Sequence, residues 1–344
     1  MAHEIDMTNG RANIAYLGSR NDVWHRLGTE MKPGMNIATW AKAAGLEWSA
    51  VKVPAIVHLT SPDFDHIAAE NRFAPVEGWN HLVRSDNGRP LGYVSNQYQP
   101  VQPADILAWF DRYIGVNDMF KLDVAGSLKD GAVIWATAKY QGDLKVAGSD
   151  HVARLLMSTT FDGSGATINQ GTTTRVVCRN TMRVAHMDGS AVIRTRHSTK
   201  FDAAKVGKEL AAVAKGFAQY KAMGDAMATV EFGRDEVSRF FKQVLDIPFE
   251  TKAEDVSTRK MNQFEALRDA YRATVNEGTE GNTVWTALNA ITRYVDHDRA
   301  TRNTEATSEV SRFASAQFGS GDQMKGKAMG LLFPLIKDRI PVAA

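Results

Sequence analysis

Thr172-Thr173-Thr174-Arg175-Val176-Val177-Cys178-Arg179-Asn180-Thr181-Met182-Arg183-Val184-Ala185-His186 is the stretch on which the reading of this chain turns. Taken as a helix, it opens on threonines that can serve as N-caps and stops short of Gly189. At about 100° per residue, Thr172, Arg175, Arg179, Arg183 and His186 fall within about 80° of one another, with Val177 and Val184 opposite. The spacing predicts a helix over 172–186 with one apolar face and one arginine stripe. Arginines four apart stand about 6 Å apart along a helix axis. Guanidinium forks match phosphate oxygens and stay charged at any relevant pH. The stripe reads as a row of phosphate contacts. Its alternatives are a solvated helix face, or arginines bound to buried carboxylates.

The surrounding charge supports the first reading. The 344 residues carry a formal net charge of only +2. Yet between Thr172 and Lys208, eight basic residues (Arg175, Arg179, Arg183, Arg194, Arg196, Lys200, Lys205 and Lys208) meet only two acids, Asp188 and Asp202. A local basic excess in a balanced chain is a nucleic-acid footprint. Arg175, Arg179, Arg183, Arg194, Arg196 and Lys200 are the candidate nucleic-acid contacts. With 44% hydrophobic and 23% charged residues, the composition is globular rather than disordered. Cys178 is the only cysteine, so neither an internal disulfide nor a cysteine-based metal site can form within one chain. Following Val176 and Val177, it reads as a small core residue. The N-terminus lacks an apolar signal core, and no run approaches 18 apolar residues. The expectation is a soluble cytoplasmic protein with no membrane partner.

Outward from the arginine stretch, the pattern is mostly strand before it and helix after it. Phe120 to Leu128, Ala132 to Tyr140 and His151 to Phe161 read as strands, with Lys129-Asp130-Gly131 as a tight hairpin signal. Ala166 to Asn169 reads as a short strand, and Ala191 to His197 as another. Earlier, Trp79 to Arg84 and Leu91 to Asn96 flank the turn-rich Ser85–Pro90, a hairpin. Thr39 to Gly45 reads as a short helix, Trp48 to Leu59 as a strand, and Pro103 opens a helix running to Ile114. After Phe201, Val206, Leu210, Val213, Phe217 and Tyr220 form a heptad-like seam. Further helices read at 234–246, 254–275, 283–299 and 304–318. The fold class is α+β. A mainly antiparallel sheet with packed helices occupies 1–200, including the basic helix 172–186, and an all-helical part occupies 201–344.

Other motifs carry less. Gly321-Asp322-Gln323-Met324-Lys325-Gly326-Lys327-Ala328 matches G-x-x-x-x-G-K, but Ala328 stands where magnesium binding needs Ser or Thr. It reads as a glycine-rich basic loop. Asp296-His297-Asp298 reads as a polar helix end, because neighbouring helical residues diverge by about 100°. No histidine pair has metal-ligand spacing, and no nucleophile motif is present. Neither a cofactor nor a metal is expected, and no catalytic residue is assigned. Of the aromatics Tyr93, Tyr98, Trp109, Phe110 and Trp135, most read as core, with one or two left to stack on bases.

Trp24-His25-Arg26-Leu27-Gly28, Tyr98-Gln99-Pro100-Val101-Gln102, and Arg175-Val176-Val177-Cys178-Arg179-Asn180-Thr181 with Arg196-His197-Ser198 occur in that order. Together they resemble the phage/plasmid-like protein family, a domain of unknown function. The resemblance covers roughly residues 20–300. Ser198 departs from the Thr often found there. It implies an origin on phage or plasmid DNA in bacteria and brings no activity or catalytic residues. The order of strands before a basic helix is also similar to that of single-strand annealing proteins of the RecT, Redβ and Erf kind, without a shared motif.

The expected function is therefore non-enzymatic binding and annealing of single-stranded DNA, in recombination. The alternatives are a phage or plasmid protein acting on a host factor, and a nucleic-acid enzyme with an unrecognised site. The 206–220 seam and uncovered edge strands predict a homo-oligomer, the alternative being that the seam packs on this chain's own sheet.

Overall fold

The computed structural model describes residues 5–19, 27–114, 119–163, 165–175, 181–183, 192–197, 210–277, 281–300, 312, 315–316 and 319–340. In chain order the strands before the first helix are β1 (Met7–Thr8), β2 (Arg11–Ala12), β3 (Ile14–Leu17) and β4 (Thr29–Met31). Helix α1 (Ile37–Ala43) follows, then β5 (Ala50–His58), β6 (Phe73–Arg84), β7 (Pro90–Ser95) and α2 (Pro103–Ile114). The central strands are β8 (Phe120–Leu128), β9 (Val133–Tyr140), β10 (Leu144–Val146), β11 (Ser149–Thr160), β12 (Thr167–Arg175), β13 (Thr181–Arg183) and β14 (Val192–Thr195). The helical part comprises α3 (Leu210–Ala228), α4 (Arg234–Val244), α5 (Thr258–Glu277), α6 (Val284–Arg293) and α7 (Ser320–Leu332).

These strands build a nine-stranded mixed sheet in the order β13-β12-β11-β9-β8-β3-β4, with β10 beside β11 and β14 beside β12. All its pairings are antiparallel except β3 with β4. A separate three-stranded sheet is the meander β5-β6-β7. The fold is α+β, with the helices gathered towards the C-terminal part.

One face of the large sheet carries the main core. Ala125, Ile134, Ala136, Ala138, Leu155 and Met157 point into it, met by Ile106, Leu107, Trp109 and Phe110 of α2. Val213, Phe217 and Tyr220 of α3 are buried in the same core, which runs on through α4–α7 to Ile340. Val213, Phe217 and Tyr220 of the heptad-like seam therefore pack on this chain's own sheet and do not form a free oligomer surface. Phe217 lies 5.6 Å from Tyr140 and 6.3 Å from Phe120, centroid to centroid. The close approach depends on glycine, since a Cβ at Gly224 would strike Val146. Val206 lies outside the described residues. Helix α6 is buried at every position from Val284 to Thr292, as expected of a helix enclosed by others. The opposite sheet face has a smaller core of Ile5, Ile14, Tyr16, Val124, Trp135 and Leu156.

Two readings need correction. The arginine stretch is not a helix where it is described: Thr167–Arg175 and Thr181–Arg183 are antiparallel strands. Three consecutive β-branched threonines favour a pleated surface, and β12 gains a full ladder on β11. The four-residue arginine spacing did not discriminate, because it preserves one face in a strand as well. The glycine-rich basic loop at 321–328 is likewise not a loop but part of α7. The helix read at 304–318 lies mostly outside the described residues, although 312, 315 and 316 are helical.

Candidate nucleic-acid interface

The register of the sheet distributes the sequence-picked arginines. Arg183 stands opposite Thr172 on β12, and Arg194 opposite Ile168. Since 168 and 172 share parity, positions 183 and 194 share one register along β12. Arg175 ends β12 opposite His151, in the register of the other face. Arg196 follows β14 and is exposed. Arg179 and Lys200 lie outside the described residues. The structure thus brings Arg183, Arg194 and Arg196 to one edge of the sheet, while Arg175 parts from them.

Following Thr172 across the ladders reveals a line that sequence reading missed. Thr172 pairs with Arg154, Arg154 with Lys139, and Lys139 with Lys121. Lys121, Lys139, Arg154 and Thr172 are therefore successive cross-strand neighbours on one face of β8, β9, β11 and β12, and position 183 of β13 is next in register. At about 4.8 Å per strand the row spans about 19 Å. Lys121 and Lys139 are exposed, and among the described residues neither has an ion-pair partner. Arg154 is partly buried and pairs with Asp123, which the bulge between Leu122 and Val124 turns out of the ladder. Thr172 is buried and its hydroxyl donates to the Arg154 carbonyl at 3.4 Å. Two like charges directly opposite on an antiparallel pair repel, so folding alone does not favour this arrangement. The hairpin alone did not signal it: Leu128 pairs with Val133, and only the bulge between Leu122 and Val124 brings Lys121 opposite Lys139.

Next to this edge the structure joins two segments that the sequence holds about a hundred residues apart. Tyr98 stacks on His197, with centroids 4.5 Å apart and planes 19° apart. The Tyr98 hydroxyl donates to the Thr160 carbonyl at 2.7 Å. The backbone N–H of Gln99 donates to the His197 carbonyl, and His197 Nδ1 lies 3.3 Å from the Gln99 carbonyl. Burial pushes the Tyr98 phenol up, with Asp162 adding to the effect. Burial also holds the His197 imidazole below its ordinary value, against hydrogen bonds to the backbone of Gln99 and Gly165. Gln102 grips the outer edge of β5, accepting from the Ala50 N–H at 2.8 Å and donating to its carbonyl at 3.1 Å. This junction welds the small sheet to the large one. Gly92 completes it, because a Cβ there would strike the Phe161 carbonyl.

The remaining motif residues are structural. Lys325 is 2% exposed and donates to Asp296 at 2.8 Å. Lys327 holds Asp246 at 2.6 Å and the Val244 carbonyl at 3.1 Å. Of the aromatics read from the sequence, Trp109, Phe110 and Trp135 are core, Tyr98 is half-buried, and Tyr93 is exposed. Among the described residues, no group of three His, Cys, Asp or Glu side chains is placed to hold a metal ion. No helix among them is long and apolar enough to cross a membrane.

The sequence model of a family described as Domain of unknown function (DUF932) matches residues 90–317. No curated protein matches the chain, and no solved structure does.

Proposed function

The chain belongs to that family, whose description assigns no activity, and from the chemistry of its own residues we propose that it binds single-stranded DNA and anneals complementary strands. The observation that carries the reading is the unrelieved pair Lys121–Lys139, exposed and next to Arg154 across the sheet, with position 183 further along the same register. A polyanion laid along that line turns a cross-strand repulsion into a pair of phosphate contacts. A single strand suits it better than a duplex, because a flexible backbone adapts its phosphates to cations about 5 Å apart. Arg194 and Arg196 extend the basic edge. Arg175, Arg179 and Lys200 keep the status of sequence candidates.

Annealing requires two bound strands to meet, so the reading carries a homo-oligomer with it. The resemblance to phage and plasmid proteins fits a role in recombination of mobile DNA. Titration of a labelled oligonucleotide at several salt concentrations tests the proposal. Each phosphate contact adds about 0.7 to the log–log slope for single strands, so three or four contacts give a slope near −2 to −3. Absent or salt-insensitive binding defeats the reading and leaves a protein-interaction role in its place.

A further inference from the structure

Strand β8 carries one residue more than its ladder needs. Leu122 stands opposite Ala138 and Val124 opposite Thr137, so Asp123 has no partner on β9. A bulge interrupts the ladder and is kept where it re-aims a side chain. With Asp123 removed, the two flanking rungs would be consecutive and Lys121 would still face Lys139. The lysine pair therefore does not depend on the presence of this extra residue. What the bulge delivers is a carboxylate. The Asp123 side chain is 9% exposed, and among the described residues its one partner is the Nε of Arg154.

Nε is the guanidinium nitrogen nearest the stem. A carboxylate bound there fixes the plane of the group and leaves the outer fork unused. Among the described residues, neither terminal nitrogen of Arg154 donates a hydrogen bond, and the side chain keeps 20% of its surface open. Arg154 stands opposite Lys139, which is exposed. An arginine fork can take two oxygens of one phosphate at once, and its rigid plane makes that contact directional. A lysine ammonium is a compact charge on a flexible stem and imposes no such direction.

We propose that Asp123 is a positioning residue, which holds Arg154 ready to take one phosphodiester of the bound strand bidentately while Lys139 and Lys121 neutralise the phosphates beyond it. This assignment, which rests on the DNA reading above, gives the row an internal division of labour. Arg154 fixes where the backbone lies, and the two lysines supply charge. The group selected is a phosphodiester with both non-bridging oxygens free, and such contacts carry no sequence information. Asp123 itself touches no phosphate. The competing account is that it only neutralises Arg154 among other cations, and the two accounts predict opposite effects.

Asp123→Ala separates them, by titration of the full chain with a labelled oligothymidylate across a salt series. If the carboxylate merely neutralises, its removal frees a cation, so affinity rises and the log–log slope gains about 0.7. If it positions, Arg154 has to be immobilised on binding, so affinity falls about three- to tenfold with the slope unchanged. Asp123→Asn keeps an oxygen within reach of Nε and should recover most of the loss. Arg154→Lys should lose at least as much as Asp123→Ala, and combining the two should cost nothing more. Deletion of Asp123 is the second route, because it leaves a regular ladder, and it should show the same loss. Urea denaturation of each variant verifies the fold. Tighter binding by Asp123→Ala overturns the proposal, as does equal weakening by Asp123→Asn and Asp123→Ala. A natural chain that binds no oligonucleotide ends the DNA reading and this assignment together. A natural chain that binds, with affinity unchanged on deletion of Asp123, ends this assignment alone.

Discussion

Lys121→Glu should move stability and DNA affinity in opposite directions. In the native chain two ammoniums face each other across β8 and β9. Directly opposed charge pairs in sheets are worth about 0.2–1 kcal/mol, with the sign set by the charges. Both side chains are exposed, so screening holds the effect at the low end. Turning repulsion into attraction should then stabilise the fold by about 0.5 kcal/mol at low ionic strength, and by less at 150 mM salt. Urea denaturation at both salt concentrations reads this directly. The same change removes one phosphate contact and engages Lys139, which reduces the salt slope by about 0.7 to 1.4 and lowers affinity about tenfold near 0.1 M salt. Anisotropy titration across a salt series gives both numbers. A merely structural row gives another pattern, in which the variant loses stability or keeps its slope. Either result refutes the argument that the repulsion is tolerated for the sake of an anionic ligand.

Two further predictions concern buried ionisable groups. Burial lowers the His197 value in the folded chain, so the unfolded state takes up a proton first on acidification. The stability of the Tyr98–His197 junction is thus fully present above the ordinary histidine value near 6.5 and is lost as pH falls through it towards the folded value. His197→Phe should keep the stack and flatten this dependence, as measured by denaturation between pH 5 and 8. Lys325→Met should cost about 3–5 kcal/mol by leaving Asp296 buried without its ammonium, and adding Asp296→Leu should recover most of it. A single variant as stable as the native chain would show that the pair is not held out of water.

What the sequence made legible was local. Pro103 marked the start of α2 and its apolar spacing marked the end, because a fixed φ and a 3.6-residue period need no distant partner. Lys129-Asp130-Gly131 announced the β8–β9 connection, and Asp130 indeed takes a positive φ. The seam at Val213, Phe217 and Tyr220 was read correctly as an apolar helix face, but its neighbour, a second molecule or this chain's own sheet, stayed open until the core placed it on the sheet. Whether such a face meets its own sheet or a second molecule is decided by residues such as Gly224, which let the helix approach. The arginine stretch failed for a deeper reason. Spacings of four satisfy both helix and strand, and only the ladder on β11 chose between them. The cation row was hidden altogether, since it is assembled from four strands and exists only once every register is known. The joining of Tyr98 to His197 was foreshadowed only as two familiar segments in one order, not as a contact.

Strands β13 and β14 lie on the same outer edge of β12 and run in the same direction. Arg183 faces Thr172 and Val192 faces Gln170, so a single residue opposite Gly171 would make them one unbroken strand. In the sequence, eight residues, 184–191, separate the two strands instead. The edge on either side is pinned independently by β12, so the segment between can lengthen, shorten or change wholesale without shifting any pairing. Such a point behaves as an insertion port. A peptide tag grafted between 184 and 191 should leave both ladders on β12 in register.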